Sequence, residues 1–111
     1  MQVDTEKTGE VLVIGISGRI DGVTAPELES RLTELIDAGE RKLVIDLDGV
    51  DYISSAGLRV MLYTAKKLRK EGRLALSRPR DMVREVFDVA GFGSVLTIVD
   101  DREAAKALME K

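Results

Sequence analysis

The chain has 111 residues, 44% of them hydrophobic and 33% charged, and its seventeen basic and twenty acidic residues leave a net charge of −3. That length suits one α/β domain spanning residues 1–111 and is too short for two independent cores. With neither cysteine nor histidine, the chain lacks a disulfide framework, a thiolate nucleophile, a Cys-type zinc site and the usual general base, and its acidic balance suits a phosphate backbone poorly.

The segment Met1 to Thr8 alternates weakly and ends at Gly9, so it is expected as an edge strand. A hairpin around Glu6 to Glu10 joins it to Val11-Leu12-Val13-Ile14-Gly15-Ile16-Ser17. That nearly continuous apolar run, closed by Gly18, fits a strand buried on both faces. Thr24-Ala25-Pro26-Glu27 has the form of a capping box, with Thr24 as the cap, Pro26 in the first turn and Glu27 reaching back to the cap N–H. Leu28, Leu32, Leu35 and Ile36 follow at helical spacing until Gly39.

Leu43-Val44-Ile45-Asp46-Leu47 reads as an interior strand ending near Asp48-Gly49. Ser54 or Ser55 caps a second helix with the apolar stripe Leu58, Met61, Leu62, Ala65 and Leu68, and Lys66, Lys67, Arg69 and Lys70 form its solvated side. After Gly72, Leu74-Ala75-Leu76 is a short strand. Pro79 opens a helix carrying Met82, Val83, Val86, Phe87 and Ala90 before Gly91. Val95 to Val99 is the last strand, and Asp100 followed by Glu103 predicts a capped helix with Ala104, Ala107 and Leu108 inward. The order strand, strand, helix, strand, helix, strand, helix, strand, helix predicts a mixed central β-sheet packed with α-helices, antiparallel at the start and parallel afterwards.

No apolar run reaches the roughly 20 residues of a membrane span. The segment Met1 to Lys7 lacks the basic and apolar regions of a signal peptide, so a cytoplasmic protein without a membrane partner is expected. In an open parallel sheet, functional loops gather beyond the carboxyl ends of the strands. Two such loops are Gly18 to Thr24 and Asp48 to Leu58, each running into a helix N-terminus whose free N–H groups favour an anion. Gly57 sits inside a first helical turn, where glycine costs about 1 kcal/mol relative to alanine; either tight packing against the preceding strand or close approach of a phosphate accounts for it. Asp46, Asp48 and Asp51 lack the spacing of a calcium loop and read as solvated turn residues. No Gly-x-Gly-x-x-Gly or Walker pattern follows a strand, and Ser55 has no histidine to activate it. No enzyme, cofactor or metal site is expected.

The stretch Val44 to Leu58, with Ser54-Ser55-Ala56-Gly57-Leu58 at its end, resembles the STAS-domain anti-sigma factor antagonists, also called anti-anti-sigma factors. Gly18-Arg19-Ile20-Asp21 followed by Thr24-Ala25 is similar to the family's Gly-x-hydrophobic-Asp turn, and Phe87-Asp88-Val89-Ala90-Gly91-Phe92 to its C-terminal segment. The likeness covers essentially the whole chain. It implies a regulatory module in partner switching: the unmodified form binds an anti-sigma factor, often a serine-protein kinase, and releases a sigma factor. Phosphorylation of one serine breaks that complex and a phosphatase restores it.

Aligned on Gly57 and Leu58, the resemblance puts the phosphoacceptor at Ser55, with Ser54 as the alternative, and makes Asp21 the acidic residue of the partner-binding turn. Thr24, Ser54, Gly57 and Leu58 then shape the docking edge and Arg59 flanks it. Many family members carry aspartate where this chain has Ser54, and serine or threonine where it has Ala56. ATP and Mg²⁺ belong to the kinase, and no nucleic acid is implied. Two other readings are a constitutive scaffold or sensor module that is never phosphorylated, and a small-ligand or nucleotide binder using the same helix end.

Overall fold

The computed structural model describes residues 1–110, Ser94 by its backbone alone; Lys111, the last residue of the expected domain, lies outside the described residues. Five strands and four α-helices follow one another as β1 (Gln2–Thr8), β2 (Val11–Ile20), α1 (Ala25–Asp37), β3 (Lys42–Ile53), α2 (Ser55–Leu68), β4 (Arg73–Ser77), α3 (Asp81–Val89), β5 (Ile98–Val99) and α4 (Arg102–Met109), with a 3₁₀ turn at Phe92–Ser94. The strands lie in sequence order, β1-β2-β3-β4-β5. β1 is antiparallel to β2, and the other pairs are parallel. The expected mixed α/β sheet is therefore observed.

Alternation along the strands divides the core in two. Leu12, Ile14 and Ile16 of β2, Leu43, Ile45 and Leu47 of β3 and Leu76 of β4 point to one face, where they meet Leu28 and Leu32 of α1, Met61 and Leu68 of α2 and Phe87 of α3. Val11, Val13, Val44 and Ala75 point the other way, onto Ala105 and Met109 of α4. Both faces of β2 and β3 are thus covered, which is why their sequences run apolar without alternating.

Several boundaries differ from the sequence expectation, for identifiable reasons. β2 does not close at Gly18: that residue takes φ +94 at a bulge, and pairing resumes through Ile20. β3 does not end at Asp48-Gly49 but runs on to Ile53, because Ser17–Gly49, Gly18–Val50, Arg19–Tyr52 and Ile20–Ile53 continue the ladder with β2. Since β4 ends opposite Asp46 at Ser77, the two central strands project beyond their neighbour. Pro79 precedes α3 instead of opening it, and β5 is confined to Ile98–Val99, residues 92–97 forming the 3₁₀ turn and a connection.

The last helix is capped by Asp101, whose carboxylate accepts from the Ala104 N–H at 2.7 Å, while Asp100 pairs with Arg84. The register therefore moves by one residue: Ala105 and Met109 are buried, whereas Ala104 and Ala107 are exposed. In α3 the buried residues are Val83 and Phe87, while Met82 and Ala90 face solvent. No helix among the described residues is long and apolar enough to cross a membrane.

Asp46 is no solvated turn residue. It lies 2% exposed on β3, facing the α4 side, and accepts from Arg78 (Nε at 3.1 Å, an η nitrogen at 2.6 Å) and from Arg102 Nε of α4 at 2.7 Å. Burial pushes its pKa upward, but the hydrogen bonds from Arg78 and Arg102 outweigh that and hold it below the ordinary carboxylate value. Arg78 reaches the carboxylate from a left-handed backbone, φ 52. Asp48 and Asp51 are exposed as expected, Asp51 pairing with Arg80 at 3.2 Å.

Candidate functional site

The projecting ends of β2 and β3 bring the two expected loops together. The Ser54 N–H donates to the Ile20 carbonyl at 2.8 Å, so the start of α2 is tied by main chain to the residue before the Asp21 turn. Gly57 completes the junction. A Cβ there would lie 2.7 Å from Ile20 Cγ2 and 2.7 Å from Ile53 Cγ1. Of the two explanations for this glycine, close packing on the strand ends is the one observed.

The Asp21 turn is built from side chains. One Asp21 carboxylate oxygen accepts from the N–H groups of Val23 and Thr24, each at 3.0 Å. Thr24 Oγ1 accepts from the Asp21 N–H at 2.9 Å and donates to the Arg19 carbonyl at 2.8 Å. The expected capping box is therefore not formed. Thr24 makes no side-chain cap bond to its own helix, and Asp21 takes the Thr24 N–H that Glu27 would have needed. The Thr24 and Val23 N–H groups together lower the Asp21 pKa below the ordinary carboxylate value, with Arg19 at 3.8 Å adding to them. Much of the carboxylate's hydrogen-bonding capacity is spent on the turn, and what the turn presents outward is Val23, 87% exposed.

At the head of α2 the two serines separate. Ser54 has extended backbone and its hydroxyl accepts from the Gly57 N–H at 3.4 Å, the position and partner of an N-cap. Ser55 is the first helical residue and is exposed. Together with Leu58 it borders an open groove of about 470 Å³ whose opposite wall is α3: Met82, Glu85, Val86, Val89 and Ala90. Arg59 turns to the other side of α2, where a groove of about 660 Å³ runs between α1 and α2. The candidate residues thus form a ridge: Asp21, Thr24, Ser54 and Gly57 hold it in place, Ser55 and Arg59 are exposed on it, and Leu58 is buried within it.

Three features escaped the sequence reading. Met82 (72% exposed), Val86 and Val89 (83% exposed) form a second apolar stripe on α3 beside the buried one, at i, i+4, i+7. The signal was present, since α3 holds more apolar residues than one buried face uses. Val23 stands at a loop tip where no periodicity applies. Arg19 lies 4.3 Å from the centre of the Tyr52 ring, a cross-strand cation–π contact made by the continued ladder. No cluster of acidic residues among the described residues is arranged to hold a metal ion.

A family model described as the STAS domain matches residues 2–105. BtrV of Bordetella bronchiseptica, described as an anti-sigma factor antagonist, is 43% identical over 108 residues, covering 96% of this chain and 93% of its own. The crystal structure of an anti-sigma factor antagonist from Mycobacterium paratuberculosis superposes with a TM-score of 0.92 at 28% identity, covering 99% of this chain and 94% of that one. The Bacillus cell fate determinant SpoIIAA in its phosphorylated form shares the fold, with a TM-score of 0.73 at 22% identity over 96% of this chain and 99% of that one.

Proposed function

This chain belongs to the STAS-domain family, and from that premise we propose that it is an anti-sigma factor antagonist whose Ser55 carries the switch. In the unphosphorylated form the ridge at the head of α2 docks on an anti-sigma factor that is also a serine kinase. Transfer of a phosphoryl group to Ser55 dismisses the partner, and a phosphatase resets the module. The whole of residues 1–111 acts as one unit in this reading.

The observation that carries the assignment is the division of labour between neighbouring serines. Ser54 is occupied as the helix cap, whereas Ser55 is exposed at the first helical position beside an open apolar groove. A phosphate on Ser55 adds about −1.5 to −2 charge. The helix dipole tolerates that charge, so the fold persists. The interface does not: a dianion at the rim of a surface lined by Leu58, Val86 and Val89 must be desolvated before a partner can close over it. The switch is a change of surface, without refolding.

The direct test is to incubate the protein with its anti-sigma kinase and ATP and locate the modification by mass spectrometry. A single phosphate on Ser55, with loss of the complex, is the expected result. An unmodified Ser55 while the kinase labels a control substrate would overturn the reading.

A further inference from the structure

We propose that the groove between α1 and α2 seats an acidic amphipathic helix of the anti-sigma partner, its carboxylates pairing with Arg59 and Lys66 on either side of Tyr63. The inference rests on the function proposed above and adds the chemistry of the segment that docks.

The chain is acidic overall, yet α2 and its C-cap, Ser55 to Arg69, contain Arg59, Lys66, Lys67 and Arg69 and no acidic residue. Lys67 lies 3.9 Å from Asp37, and its ammonium sits 5.9 Å from the centre of the Tyr63 ring. Arg59 and Lys66, both exposed, form no ion pair among the described residues. They line the same groove as Tyr63, which is 46% exposed, and the half-buried Leu62. Arg59, Tyr63 and Lys66 fall at i, i+4 and i+7, one stripe of a helix, with the two cations about 10.5 Å apart along the axis. A partner helix bearing carboxylates seven residues apart with apolar residues between them repeats that spacing in the complementary sign. Glu29 on the α1 wall, the one acidic residue lining the groove, biases such a helix toward α2.

The first turn of α2 connects the groove to the switch. Ser55 lines the groove facing α3 and Arg59 the groove facing α1, but four residues apart they are neighbours across the crest of α2. A phosphate on Ser55 draws Arg59 and makes the head of the stripe negative, which repels an acidic helix. Attraction and release then meet at Arg59.

The test is an NMR titration of the isotope-labelled full chain with a helical peptide carrying two glutamates seven residues apart and leucines between them. A second peptide has lysines in place of the glutamates. Perturbations centred on Arg59, Tyr63 and Lys66 are expected with the glutamate peptide only. They should weaken about tenfold in the Arg59→Glu/Lys66→Glu double variant and also in Ser55→Asp. Both sites are exposed, and circular dichroism verifies that the variants are folded. Equal response to the two peptides, unchanged affinity in the double variant, or perturbations centred on Met82 and Val89 would each overturn the assignment. Capture of the anti-sigma kinase reports separately on the function. If wild type and double variant capture it equally, the groove assignment falls and the function stands. If wild type captures none while the glutamate peptide binds as described, the function falls and the anti-sigma partner with it, and only the groove's preference for an acidic helix stands.

Discussion

The α-carbon of Gly57 is held so close to Ile20 that a methyl group added to it would meet Ile20 Cγ2 at 2.7 Å. Ile20 is 0% exposed and Ile53, equally near, is 2% exposed, so neither side chain has room to retreat. Gly57→Ala gains about 1 kcal/mol of helix propensity, but overpacking of this kind costs about 1–3 kcal/mol. The expected outcome is a modest net loss of stability by denaturant titration. Partner affinity should fall further than stability does, because α2 must shift away from the strand ends.

The two serines are separable by experiment. Ser54→Ala removes a cap whose bond is long, 3.4 Å, and should cost about 0.5–1 kcal/mol of stability. Ser55→Ala should leave stability nearly unchanged, bind the anti-sigma partner as wild type does, and resist release by the kinase. Phosphorylation of Ser55 should weaken that complex about a hundredfold, equivalent to about 2.7 kcal/mol, and Ser55→Asp by less, since it carries less charge. Titration calorimetry checks all three, and equal affinity of Ser55→Ala and Ser55→Asp would count against Ser55.

Asp21 makes the turn sensitive to acid. The Thr24 and Val23 N–H groups lower its folded-state pKa, so its contribution is full above the ordinary carboxylate pKa and fades as pH falls through the lowered value. The protection of the Val23 and Thr24 amides, taken against the intrinsic exchange rate at each pH, should therefore fall on acidification in the wild type. In Asp21→Ala that protection should be low at every pH, with the sheet unaffected.

Asp46 ties α4 and the end of β4 to the centre of the sheet, since Arg78 follows β4 and Arg102 begins α4. Its folded pKa is also lowered, which places the loss of this stabilisation below the ordinary carboxylate pKa of about 3.9. Asp46→Asn should cost about 2 kcal/mol, the two guanidiniums being partly hydrated and able to recover some solvation. Hydrogen exchange should show the loss concentrated in α4, and the variant's stability should depend less steeply on pH in the acid range.

What could be read in one dimension was what local pattern encodes. The order of elements, the burial of β2 and β3 on both faces, and the two loops flanking the site all follow from periodicity and turn chemistry. The failures have a common cause in partners distant along the chain. Asp48-Gly49 has the composition of a turn, but the ladder with β2 keeps it in a strand. Asp46 looked solvated because its two arginines lie 32 and 56 residues away. The capping box at Thr24 failed because Asp21, three residues earlier, is a nearer acceptor for the same N–H. Ser55 was legible as the free hydroxyl only through family resemblance; the geometry adds that Ser54 is already engaged.

Because each strand lies beside its neighbour in sequence, no pairing in this sheet has to wait for a remote segment, and loop-closure entropy stays low at every step. Such a chain can add strand upon strand as it emerges from the ribosome. Its last helix then closes the open face of the sheet, with Arg102 meeting a carboxylate that was synthesised long before it.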